Sequence, residues 1–223
     1  VTVAAGALLA ALMHADSALP SGGFAFSWGL EELYDDGLLD ERRPFDEVLR
    51  WYLETRWTDF DRYFVCHSCT ATPREREELD RFCTASSMSA ACRESSARAG
   101  RSLLMAWSRI GMAAAADYAA AVRAGSAVGN LPVVQGLIYS EHGMDQTLAA
   151  AVSGWSLLSN LASAAVRLGR VSALSAQSSI AAMLPLLSEQ IEKPLPDIPF
   201  SWGVVQDIAM ERHALRTARL FAS

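Results

Sequence analysis

An all-α fold, a single-domain bundle of roughly eight to ten helices over residues 1–223 with no sheet, is what three features of the sequence predict. Apolar residues return at helical spacing through most of the chain after Phe45. Alanine, the residue with the best intrinsic helix propensity, is in excess. No strand-length alternation bounded by hairpin turns appears.

The first helix is expected over Val3 to Ala15, with Leu8, Leu9, Leu12 and Met13 as its apolar stripe and Asp16, Ser17 and Pro20 as its stop. The stretch Leu19-Pro-Ser-Gly-Gly-Phe-Ala-Phe-Ser-Trp-Gly-Leu-Glu31 then interrupts the helical pattern. Pro20 fixes φ and lacks a donor, Gly22 and Gly23 permit positive φ, and Ser21 offers a hydroxyl to orphan amides of a following helix. Chemistry alone reads this stretch as a tight helix-helix corner with core aromatics. A second helix is expected from Phe24 into Tyr34, ended by Asp35-Asp36-Gly37. Pro44 opens a third, heavily aromatic helix with Phe45, Val48, Leu49, Tyr52 and Leu53 in register, followed by Trp57, Phe60 and Phe64.

Thr72-Pro73-Arg74-Glu75 reads as a capped helix start, and the charge-rich run Arg74 to Arg81 as a solvated face. Cys83 to Ser89 is small and polar enough for a connection or a helix end. A long helical region spans Ala90 to Val122, with Leu103, Leu104, Trp107, Ile110 and Gly111 facing inward; Gly111 weakens it and makes Ser108 to Met112 a candidate break. After a turn at Ala124 to Asn130, Pro132 suits the first turn of a helix closed by His142-Gly143. An uncharged helix follows from Asp145 to Leu168, then one from Val171 to Gln190 that Pro185 should bend. Three prolines make Lys193 to Pro199 extended, and the last helix runs from Trp202 to Thr217.

Apolar residues make up 51% of the 223 and charged residues 20%, enough to bury a sizeable core. The formal charge of −6 argues against a general nucleic-acid binder, which needs clustered Lys and Arg. Four cysteines without an upstream signal peptide fit a reducing cytosol, so a cytoplasmic location is expected. Gln146 to Val166 is uncharged and long enough to cross a bilayer. Its serines, Gln146, Thr147 and Asn160 are spread around the helix, so it reads as a buried helix and no membrane role is expected.

Signatures of chemistry are scarce. There is no GxxxxGK[ST], no HExxH and no repeated ExxH, so no cofactor or catalytic residue is predicted and an enzyme would have to hide its site. Cys66-His67-Ser68-Cys69 places two thiols on one helix face, the basis of an alternative reading as a metal carrier; a structural zinc needs four ligands. A second alternative is a helical enzyme with a buried site in the Phe45 to Phe64 helix using Asp59, Asp61 and His67. His14 with Asp16, His142 with Glu141, and His213 with Glu211 read as isolated surface or capping pairs. What remains is interaction surface: Phe24, Phe26 and Trp28 beside Glu31 and Glu32, and the stretch Arg219-Leu220-Phe221, combine aromatics with Arg as protein interfaces do.

LPSGGFAFSWGLEE resembles the signature of the urease accessory protein UreF family. Gly129-Asn-Leu-Pro-Val-Val-Gln-Gly136 is similar to that family's central helix start, and His213-Ala-Leu-Arg-Thr-Ala-Arg-Leu-Phe-Ala-Ser223 to its closing motif. The resemblance implies an all-helical, cytosolic, non-catalytic assembly factor. Such a factor bridges the accessory protein UreD (UreH) and the GTPase UreG, gates GTP hydrolysis and helps load nickel into apo-urease. It also favours a homodimer. Residue by residue, it places Phe24 and Arg219 in the region used for self-association and partner binding, with Glu31 as a contact for the GTPase. Ala214 after His213, and Asn130-Leu131 before Pro132, depart from the family pattern.

Overall fold

The computed structural model describes residues 4–16, 19, 26–39, 44–216 and 220–221, and among these there are helices and no strand. The architecture is the predicted all-α bundle. Its spine is a continuous rod in which α3 (Phe45–Tyr52) passes through a π-helical segment (Leu53–Asp61) into α4 (Arg62–Thr70). Val48, Leu49, Tyr52, Leu53, Trp57, Phe60, Phe64 and Val65 of this rod are all buried, so the aromatic helix read from the sequence supplies the centre of the core.

One apolar cluster joins α2 (Leu30–Asp35), α3, α9 (Gln146–Arg167), α10 (Ala173–Glu192) and α11 (Val204–Ala214). A second joins α1 (Ala5–Ala15), α4, α6 (Ala90–Ile110), α7 (Ala113–Ala124) and α8 (Leu131–Glu141). α9 is long and apolar enough to cross a membrane, yet 56% of its most apolar window is buried against neighbouring helices, α4 and α10 among them.

Close approach of α4 and α8 depends on Gly136. A Cβ there would collide with the Val65 carbonyl and the Ser68 side chain, whose hydroxyl donates to the Val133 carbonyl at 2.7 Å. Arg62, buried at the start of α4, donates to the carbonyls of Gln190 (2.6 Å), Ile191 (3.1 Å), Lys193 (2.8 Å) and Pro194 (3.1 Å). It thereby satisfies the acceptors that α10 leaves open where it ends. The amides of Phe200 and Trp202 donate to Asp59 O and Thr55 O of the π-helical segment at 3.3 and 2.7 Å.

Several expectations are corrected. α1 buries Ala7, Ala10, Ala11 and His14 and turns Leu8, Leu9, Leu12 and Met13 outward; the flat alanine side packs closely against α9 and leaves the bulkier residues no room inside. The Ala90 to Val122 region divides at Gly111, inside the candidate break, with φ 106 as a left-handed helix end, but Ile110 is exposed rather than inward. As expected, a helix ends within Cys83 to Ser89: α5 (Pro73–Ser86) stops at Ser86, and its start is a full capping box between Thr72 and Glu75. α10 carries Pro185 inside one helix, also as expected.

The charge-rich run on α5 is not a plain solvated face. Arg76 is buried and donates to the carbonyls of Ser68 (2.9 Å) and Ala71 (2.8 Å) at the end of α4. Asp80 has no exposed surface. Its Oδ2 accepts the amides of Val128 (2.8 Å) and Gly129 (2.6 Å) and the Tyr118 hydroxyl (2.9 Å). Its Oδ1 accepts the Asn130 amide (2.9 Å) and side-chain Nδ2 (2.7 Å). A buried carboxylate is tolerable only when its lone pairs are filled in this way. Asp80 thus fixes the turn that delivers Leu131 and Pro132 to the start of α8, and the Asn130 departure from the family pattern is one of its donors.

Candidate partner-binding site

The interrupted stretch near the N-terminus, α11 and the C-terminal residues come together at one end of the bundle. Trp28 and Gly29 both adopt the left-handed region, φ 53 and 84, and α2 begins only at Leu30, not Phe24. For a tryptophan this conformation costs roughly 1–2 kcal/mol. The Trp28 carbonyl repays part of it by accepting the Tyr52 hydroxyl at 2.8 Å and Gln206 Nε2 at 3.4 Å, and its ring packs on Phe26 at 5.8 Å.

The turn aims the first residues of α2 inward. Glu31 and Glu32 are only 7% and 6% exposed, at a helix N-terminus that favours negative charge. Glu31 Oε1 accepts the Leu220 amide at 2.9 Å and Oε2 the Phe221 amide at 3.2 Å. Phe221 is buried with its ring 4.3 Å from the Arg167 guanidinium. Fully buried His213 directs Nδ1 at both carboxylates, 3.8 Å from Glu31 and 3.9 Å from Glu32, while Nε2 lies 3.4 Å from the Phe221 carbonyl. At the rim, Arg216 meets Glu32 (3.1 Å) and Asp35 (2.5 Å), and Arg212 meets Asp36 (2.6 Å). Tyr34 lies under Arg170 at 5.1 Å, and its hydroxyl is raised above its ordinary range by burial, which Arg170 partly offsets.

The structure therefore brings together Phe26, Trp28, Glu31 and Phe221, all buried, with Leu220 exposed beside them. Phe24 and Arg219 lie outside the described residues. Sequence reading missed the outward face of the neighbouring segment: Trp202 is 72% exposed, and Val204, Ile208 and Leu215 are exposed at helical spacing along α11. The signal was present in those four residues, because the apolar repeat of the last helix is wider than one buried stripe needs.

The histidine pairs are also corrected. His213 faces Glu31 and Glu32, whereas Glu211 accepts the Ser89 hydroxyl (2.8 Å) and the Ala91 amide (3.0 Å) at the start of α6. Those bonds hold its carboxyl below the usual range. His14 meets His142 across 128 residues of sequence, at 3.2 Å.

Burial pushes the Cys66 thiol up to about 11 and the Cys69 thiol up to about 12. Among the described residues no three His, Cys, Asp or Glu side chains gather as metal ligands would. In the aromatic rod, Asp61 is taken up by Arg56 at 3.3 Å, and burial raises its carboxyl more than Arg56 lowers it. His67 is exposed against the Tyr63 ring. The crevice beside Arg56 and Asp61, lined also by Trp28, Gln135, Ser153 and Gln206, encloses about 40 Å³.

At this end of the helical bundle, polar side chains thus converge on the chain's own residues Leu220 and Phe221. The UreF family model matches residues 40–184, well over half of the sequence, and the chain belongs to the UreF family. It is similar over nearly its whole length to proteins named urease accessory protein UreF. The one from Trichodesmium erythraeum (strain IMS101) is 27% identical over 231 residues, covering 96% of each chain. The one from Arthrobacter sp. (strain FB24) is 28% identical over 232 residues, covering 99% of each. A third, from Bradyrhizobium sp. (strain BTAi1), is 29% identical over 224 residues, covering 92% of this chain and 88% of the relative.

Proposed function

We propose that this protein is a cytoplasmic, non-catalytic urease accessory protein that bridges UreD (UreH) and the GTPase UreG, modulates GTP hydrolysis and promotes nickel insertion into apo-urease, working as a homodimer. The whole chain forms one functional unit. The observation that carries the reading is the grip of Glu31 on Leu220 and Phe221. It holds an exposed leucine close to α11, whose outer face offers Val204, Ile208 and Leu215. An exposed apolar face rimmed by Arg212 and Arg216 has the composition of an interface core with a polar rim.

In this reading Phe26, Trp28 and Phe221 shape the surface from below, Arg219 and Leu220 meet a partner, and Phe24 lies in the same region. Glu31 acts on the GTPase by setting the position of the C-terminal stretch, since both its oxygens are engaged by that stretch. A partner that binds the docked stretch and the GTPase in one nucleotide state shifts that state's population. Pull-down of UreG and UreD with wild type, Arg219→Ala and a deletion of Leu220 to Ser223 tests the assignment. Capture should fall in both variants, and equal capture by all three refutes it. Turnover of a substrate by the purified protein alone would refute the non-catalytic role.

A further inference from the structure

α1 is attached by an uncommon set of contacts. Its large apolar residues face outward, and His14 is the only buried side chain of its helix larger than alanine. The imidazole enters an aromatic box, with ring centroids 4.9 Å from Trp107 of α6, 4.8 Å from Tyr139 and 5.1 Å from His142 at the end of α8. His142 in turn lies edge-on to Trp107 at 4.5 Å. His14 Nε2 is 3.2 Å from His142 Nδ1, and that same Nδ1 is 3.0 Å from the Ile138 carbonyl.

The groups facing the pair are few. α6 presents the Trp107 ring, and α8 presents Tyr139, whose hydroxyl burial keeps neutral, with the Glu141 carboxylate acting on His142. α9, packed on α1, has no titratable side chain from Gln146 to Val166, and α1 itself adds Asp16 just past its end. Two imidazolium rings this close repel, and the rings around His14 offer no carboxylate to hold a charge.

We infer that α1 is a proton-sensitive clasp, docked while the His14 and His142 rings are uncharged and released as the pair takes up a proton. Burial, and then His142, lower His14 from 6.5 to about 4, and burial lowers His142 as well. Released, His14 returns to its ordinary value. Well above pH 6.5 docked and released forms bind the same protons, and docking is at its strongest. Between 6.5 and about 4 the released form holds one more proton, so release grows as pH falls, by up to about tenfold per unit. Below that window it grows no further.

Amide hydrogen exchange of the full chain at pH 7.5 and pH 5.0, corrected for intrinsic rates, reads this directly. Opening of Ala5–Ala15 should rise roughly tenfold or more at the lower pH, while α8 and α9 keep their protection. His14→Phe keeps a ring in the box and cannot be protonated, so its α1 should lose the pH response; His142→Gln should shrink it. If His14→Phe does not fold, NMR titration of the wild-type His14 ring decides, with a midpoint well below 6.5 expected. Equal α1 protection at both pH values, an unaltered response in either variant, a midpoint near 6.5, or simultaneous loss of protection in all helices would overturn the clasp.

Discussion

Asp80 and Glu31 are both buried carboxylates that collect backbone amides, yet they secure very different things. Asp80 gathers three successive amides, a phenol and a carboxamide from residues 38 to 50 positions away, and of those residues only Val128 is half-buried while Tyr118, Gly129 and Asn130 are buried. Glu31 gathers two amides, and one of the residues it holds, Leu220, is 63% exposed. Hydrogen bonds to a charged acceptor contribute about 1.5–3 kcal/mol each, so the first arrangement belongs to global stability. The second ties only two residues of the last stretch to the start of α2.

Removing the stronger anchor should do the most damage. Asp80→Ala strands three amides at once, two of them in buried bonds, and should cost more than about 3 kcal/mol, read as a large drop in the urea midpoint; an unmoved midpoint would show that the turn needs no anchor. Gly136→Ala tests the seat of α8 that this turn leads into. Its Cβ meets α4 backbone that cannot step aside, and a loss of about 1–3 kcal/mol in thermal unfolding is expected.

Glu31→Gln, by contrast, keeps shape and one acceptor while discarding the charge. We expect about 1 kcal/mol at most in global unfolding, but faster exchange at Leu220 and Phe221 and weaker capture of partners. A global loss as large as that of Asp80→Ala would erase the distinction between the two anchors. Arg212→Ala removes the rim pair with Asp36 and a 4.0 Å pair with Glu32 that Arg216 also serves, and should move stability by less than about 1 kcal/mol.

What sequence reading could see follows from the same contrast. Helical spacing, the Thr72 cap, Pro132 at a helix start and the proline-rich Lys193 to Pro199 segment are local signals, and each corresponds to the structure. Asp80 was hidden because its charged neighbours on α5 make it look solvated, while its donors lie near residue 130. His14 was hidden because its partner His142 is far along the chain. The outward leucines of α1 misled for another reason: periodicity marks an apolar stripe but does not say whether the flatter alanine side will pack instead. At the end of the bundle where α2, α11 and the last residues meet, Phe26, Trp28, Glu31, Leu220 and Phe221 already stood out in the sequence as one set. The apolar repeat of α11 was visible too, but a repeat alone does not say which of its residues face solvent.

Trp202 and Phe200 hang by their amides from the π-helical part of the rod, and Arg62, one residue beyond it, grips the end of α10. A protein leaning on Trp202 would therefore load the spine of the molecule at its middle. The push would enter through the Thr55 and Asp59 carbonyls, so a touch at the surface would bear directly on the central shaft.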